Sequence, residues 1–225
     1  MPGREIPLVN GEIYHVLNRG IAGQPVFVTK RDYQRFFESM LYYQNKELPL
    51  RYSKFLQLSN EERMQILKNL SEQSNFIVEF ISYCLMPNHF HLLMRQIKNE
   101  GIAKFTGNLT NSFTRYFNVK NKRVGPLFQG KFKAVRIESD EQLLHVARYI
   151  HLNPYSSFVV KGVENVSLYP YSSLAEYLKL KKNKTVSKEI ILSQFKTLKS
   201  FKDFTLNQAD YQRKLQEIKH LTFET

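Results

Sequence analysis

The chain has 225 residues, enough for one full-sized hydrophobic core with an appendage and too few for a large multidomain machine. Hydrophobic residues make up 42% and charged residues 24%, which excludes disordered and fibrous chains. Thirty-three Lys and Arg against 20 Asp and Glu leave a net charge of +13, so a polyanion is the first partner to consider.

In chain order, residues 12–18, EIYHVLN, read as a strand closed by the Arg19-Gly20 turn signal. Residues 30–45 carry Phe36, Phe37, Met40 and Leu41 at helical spacing behind Thr29 as a cap. Leu48 to Gln73 are polar and helix-compatible, and read as a helical excursion inserted at about 46–74. From Asn75 apolar residues alternate with a second, equally apolar set up to Met86, as in a strand buried on both faces. Pro87-Asn88 breaks it and residues 89–95, HFHLLMR, resume, so 76–95 is expected as an antiparallel pair in the centre of a sheet. A second helix is expected over 100–119 and a last strand over 131–137. Ser139 then opens a helix with Glu141 and Gln142 in its first turn, which Pro154 should stop. Residues 158–225 are Lys-rich and weakly helical around 172–181 and 205–220. This order favours an α+β sandwich with an antiparallel sheet, residues 1–157 forming one domain and 158–225 a basic extension.

The lone cysteine, Cys84, excludes an intramolecular disulfide and a Cys-based zinc site. The N-terminal residues lack a signal-peptide core, and no stretch approaches the roughly 20 apolar residues of a membrane helix. A soluble protein of the cytoplasm, associated with the nucleoid, is the expectation.

His89 and His91 stand at i and i+2 on a strand, so both imidazoles leave one face of the sheet and can chelate one divalent cation. Tyr149 and Asn153 stand four apart on a helix and share a face. A phenol is a poor nucleophile at neutral pH, but a metal that polarises the electrophile makes it workable, and the Asn amide oxygen can be a third ligand. Each residue also has a plainer reading: a chance pair of strand histidines, a core tyrosine with an exposed hydroxyl, a polar helix end before proline.

The segments MPNHFHLLM, LFQGKFKAVRI and ARYIHLNP, in that order and spacing, resemble the single-tyrosine HUH transposases, which move or process single-stranded DNA. With YHVLNRG and YPYSSL (169–174), the chain is most similar to the REP-associated tyrosine transposases over about residues 12–177. The resemblance implies a ferredoxin-like fold, His89, His91 and Asn153 as ligands of Mg²⁺ or Mn²⁺, and Tyr149 as nucleophile. The implied reaction cleaves and rejoins single-stranded DNA at hairpin sites through a 5′-phosphotyrosine. Asn153 stands where many insertion-sequence relatives have Gln. A monomer is expected, with a homodimer as the other arrangement in the family. Expected DNA contacts are Arg19, Arg115, Lys122, Arg123, Gln129, Lys131, Lys133 and Arg136, with Lys120 beside them. Tyr116, Phe117 and Phe128 are open between base stacking and core.

Two other function classes remain open on sequence. A non-catalytic single-strand-binding module explains charge and aromatics but leaves His89, His91 and Tyr149 without a role. A metal-dependent phosphoesterase would use the histidines without a covalent intermediate. A domesticated transposase would share the chemistry of the first reading.

Overall fold

The structure, a computed structural model, describes residues 7–181 and 184–222, with side chains up to residue 215. Strand β1, Ile13–Arg19, alternates buried and half-buried residues, the period-2 signature of a strand between two layers. Helix α1, Lys30–Tyr43, follows; its Asp32 carboxylate accepts the backbone N–H groups of Val28 and Thr29 at 3.0 and 2.8 Å, satisfying donors at the positive end of the helix. Helices α2, Tyr52–Phe55, and α3, Asn60–Gln73, are the inserted excursion. Their Tyr52, Phe55, Leu67 and Leu70 close on Tyr42 of α1 as a small core separate from the main one.

Strands β2, Val78–Met86, and β3, His89–Gln96, form a hairpin. Helix α4, Gly101–Lys120, begins at a glycine because a Cβ there would stand 2.2 Å from the Ile77 carbonyl oxygen. Strand β4, Lys133–Arg136, pairs with β1. Helix α5, Asp140–Ser156, is capped by the Ser139 hydroxyl, which accepts the Gln142 N–H at 3.1 Å. The sheet order is β2-β3-β1-β4, antiparallel throughout. With the element order β-α-β-β-α-β this is the ferredoxin-like arrangement. Helices α1 and α4 cover one face, where Phe36 and Phe113 pack around Phe90 and Phe128, and α5 covers the other.

Two expectations are corrected. The β2–β3 hairpin is not central, since β2 is the edge strand. It reads as buried because residues around Tyr171–Ser173 and Ser187 cover its free edge. Leu85 N–H donates to the Tyr171 carbonyl at 2.9 Å, Ser173 N–H to Tyr83 at 3.0 Å and Ser187 N–H to Phe80 at 2.8 Å, so the edge exposes few unpaired groups. Pro154 does not stop α5, which continues to Ser156. Proline lacks only one helical donor, and the last turn is held from outside: Arg213 donates to the carbonyls of Tyr155 and Val160 at 2.8 and 3.0 Å. The segment after 158, expected to be weakly helical, packs on the sheet domain. It forms α6, Leu174–Tyr177, α7, Glu189–Leu192, α8, Leu198–Leu206, and α9, Ala209–Thr222, and contributes Val166, Tyr177, Ile191 and Phe201 to the main core.

Phe201 is 2% exposed, stacks on Tyr177 at 5.2 Å and meets the edge of His151. Phe201→Ala should therefore lower the stability of the whole fold by about 3–5 kcal/mol in urea denaturation. An unchanged main transition would show that α8 folds apart from the sheet.

Candidate active site

The α5 face of the sheet carries His89 and His91 of β3, as the strand alternation requires. Above them α5 lays Tyr149 and Asn153. The Asn153 side chain lies between the two imidazoles, its Oδ1 3.2 Å from His89 Nε2 and its Nδ2 3.3 Å from His91 Nε2. Asn153 is fully buried. The Tyr149 ring stands edge-on to His91, centroids 5.5 Å apart. Burial raises the phenol pKa above its ordinary value, with the nearby Asn153 amide acting in the opposite direction.

Two further residues set the protonation of the pair. Asn88 Nδ2 donates to the Gly23 carbonyl at 3.1 Å, which aims Asn88 Oδ1 at His89 Nδ1, 2.6 Å away. His89 must therefore carry its proton on Nδ1. Burial holds its pKa down to about 4, helped by the Arg19 charge and opposed by the Asn153 contact, so at neutral pH Nε2 bears a lone pair. That lone pair faces the Asn153 carbonyl oxygen, an acceptor, with no proton between them. On the other side, the Asn153 amide donates to His91 Nε2. This puts the His91 proton on Nδ1, 2.9 Å from Nε2 of His15, a third histidine from β1. His15 stacks on His91 with centroids 5.0 Å apart. Sequence reasoning missed His15 and Asn88: the strand alternation was visible, but the β1–β3 register is a long-range fact, and Asn88 read as a turn residue. His151, two residues before Asn153 on α5, is turned away and bonds the Ser173 hydroxyl at 3.0 Å.

The two acceptors facing each other leave a place that a cation between them would fill. Among the described residues no group of three or more His, Cys, Asp or Glu could hold an ion, so any such site must take the Asn153 amide as a donor.

The residues expected to touch DNA do not gather in one place. Arg19 flanks His89, and Gln129 is beside it, its N–H donating to the Arg19 carbonyl at 2.8 Å. Lys133 pairs with Leu17 and so lies exposed on the histidine face, with Lys131 just before it on the same exposed loop. Arg136 pairs with Tyr14, points to the opposite face and holds Glu12 at 2.9 Å. Arg123 folds back on Asn118 and the Pro126 carbonyl at 2.9 and 3.1 Å. Lys122 occupies a left-handed turn, φ 50°. Arg115 lies on the outer side of α4, in a groove away from the histidines. The core reading holds for Phe117 and Phe128, which are buried, and Tyr116 donates its hydroxyl to Asp32 at 2.8 Å.

Residues 50–153 match the family described as Transposase IS200 like. The matched stretch contains the hairpin, Tyr149 and Asn153, and leaves His15 outside it. No curated protein matches the chain in sequence. Among solved structures the chain is similar to one described as the structure of the REP-associated tyrosine transposase bound to a REP hairpin. That likeness has a TM-score of 0.56 at 14% identity, covering 80% of this chain and 86% of that one, and it supports the ferredoxin-like fold. No helix among the described residues is long and apolar enough to cross a membrane.

Burial also lowers His15 to about 4, His151 to about 3, and His91 well below its ordinary value of 6.5. The unfolded chain then binds more protons than the folded one as pH falls from 6.5 towards 4, so stability is lost on acidification through that window. The slope should be about 1.4 kcal/mol per pH unit for each imidazole concerned. Urea denaturation in chelator at neutral pH and near pH 5 tests this, and equal stabilities would contradict buried neutral imidazoles.

Proposed function

We propose that the chain is a single-strand DNA transposase or endonuclease that cleaves and rejoins DNA at hairpin-containing sites, with Tyr149 as nucleophile. The observation that carries this reading is the pair of facing acceptors, His89 Nε2 and Asn153 Oδ1, with His91 beside them and the Tyr149 ring edge-on to His91. The donor set of His89 Nε2, His91 Nε2 and Asn153 Oδ1 fits a divalent cation, Mg²⁺ or Mn²⁺, which when bound would act as a Lewis acid on the scissile phosphodiester. His15 and Asn88 fix the tautomers that turn both Nε2 lone pairs inward.

Tyr149 then has two tasks. Its oxygen forms a bond to phosphorus as the bond to the 3′ oxygen breaks; the phenol loses its proton and the departing 3′ oxygen gains one. The product is a 5′-phosphotyrosine and a free 3′-hydroxyl. Attack by another 3′-hydroxyl on that phosphotyrosine rejoins DNA and returns the phenol. Arg19, Gln129, Lys131 and Lys133 border the histidine end of the sheet and serve as the backbone contacts that hold the strand. The family match and the hairpin in the similar structure support single-stranded DNA with a hairpin as substrate. A monomer suffices in this reading, because Tyr149 meets His91 within one chain.

Tyr149→Phe keeps the ring and removes only the oxygen. It should fold and bind hairpin DNA as before, yet form no protein–DNA adduct resistant to denaturation when incubated with labelled hairpin and Mn²⁺. An adduct from that variant would place the nucleophile elsewhere, and cleavage without an adduct would make the protein a metal nuclease.

The ligand set has its own readout. By calorimetry, His89→Ala should lose measurable Mn²⁺ binding. His15→Phe, which keeps a ring but no acceptor, should weaken it by about tenfold or more. Unchanged Mn²⁺ affinity in both would remove the ion from this site.

A further inference from the structure

On the far side of the molecule from the histidines, α1, α4 and the inserted α2–α3 enclose an open groove of about 1450 Å³. This exceeds the few hundred to about 1,000 Å³ of an ordinary small-ligand pocket. Five cations line it, Arg31, Arg35, Arg63, Arg115 and Lys120, of which Arg63 is already held by Glu38 at 3.0 Å and Lys120 by the buried Asp32 at 2.6 Å. Arg31, Arg35 and Arg115 form no ion pair with a described carboxylate. Arg35 is the most telling. Its Nε and Nη1 are shielded from solvent and have no hydrogen-bond partner, while its guanidinium lies over the Tyr52 ring at 4.5 Å and beside Tyr116 at 5.6 Å. Those two nitrogens are closed to solvent and so to a docked phosphate; what Arg35 gives the groove is the charge of a guanidinium held in place by two rings. Along α4, Asn108, Asn111, Ser112 and Arg115 follow at helical spacing and add neutral donors to one wall.

We infer that this groove binds the phosphate backbone of double-stranded DNA, the stem of a hairpin in the reading above. The inference rests on that reading only for the stem; binding itself requires no cleavage. The rings decide between double and single strands. Tyr52 lies under Arg35 and against Phe55 and Tyr43, and Tyr116 is tied to Asp32. The groove therefore offers charge and amides for phosphates but no free ring for an unpaired base, which single-strand sites use. The inserted helices, to which the sequence assigned no role, become one wall of a second DNA surface.

Arg31 and Arg115 are exposed, so their removal leaves packing intact. The test measures binding of a short blunt duplex, and of one of its strands alone, by fluorescence anisotropy over a salt series without divalent ions. The Arg31→Ala/Arg115→Ala double variant should weaken duplex binding about tenfold, and the slope of log affinity against log salt should fall by about 2. The single strand should lose less. Asn111→Glu, which places a carboxylate in the groove, should weaken duplex binding on its own. A Lys199→Ala/Lys202→Ala control on α8 removes the same charge and should leave duplex binding unchanged. Duplex affinity and slope unchanged in the double variant would overturn the inference. So would an equal loss for duplex and single strand, which would assign the groove to an unpaired strand. Equal effects in the α8 control would reduce the groove to net charge. Because no arm depends on Tyr149 or a metal, loss of cleavage elsewhere leaves this result interpretable.

Discussion

The antiparallel register of β1 on β3 sets Arg19 opposite His89 and Leu17 opposite His91, and brings His15 within 2.9 Å of the His91 ring. A slip of one residue would turn His15 and Arg19 to the other face. His91 would lose the acceptor that fixes its tautomer, and His89 the nearby cation that helps keep it neutral. The register is held by burial on the far face, where Tyr14, Val16, Phe90 and Leu92 are each 1% exposed or less. The apolar core under α1 and α4 thus specifies, through the pleat, the polar chemistry above it.

Helix α5 brings the other half of the site, and its position depends on the chain after it. Asn153 lies one residue before a proline, where a helix has lost a donor and frays readily. Here α9 supplies the missing restraint. Arg213 caps the last carbonyls and stacks on Tyr155 at 3.4 Å, and Gln212 donates to the Tyr149 carbonyl and the Ser156 hydroxyl. Tyr171, Ser173 and Ser187, between α5 and α8, meanwhile cover the free edge of β2. The C-terminal segment therefore secures both the helix that carries the phenol and the strand hairpin that carries the imidazoles.

Much of this was legible in the sequence, for physical reasons that differ by element. The strand of HFHLLMR, the helices around Phe36 and Phe113 and the cap at Ser139 follow from local periodicity and capping chemistry. The shared face of His89 and His91 follows from alternation, and that of Tyr149 and Asn153 from the helical turn. The expected ferredoxin-like sheet is present. What local pattern could not supply was anything set between distant segments: His15 over His91, Asn88 on His89, the edge position of β2 and the continuation of α5 past Pro154. The basic residues were the least legible. Arg19, Arg115 and Arg136 look equivalent as sequence, yet one flanks the histidines, one lines a remote groove and one faces away in an ion pair.

The distribution of charge follows a division of labour. No carboxylate among the described residues contributes to the shifts of His15, His89, His91 or Tyr149, so the buried site is neutral. A neutral donor set leaves the charge of a bound cation for an anionic substrate instead of quenching it, and burial strengthens that interaction. The surplus of positive charge lies outside, on surfaces where salt screens interactions beyond about 8 Å. In the proposed reading, peripheral cations of this kind set how tightly and how fast a polyanion is held, while the buried neutral cluster governs what happens at one phosphorus atom. Salt should then act on the first property and leave the second to the geometry of Asn153, His89 and Tyr149.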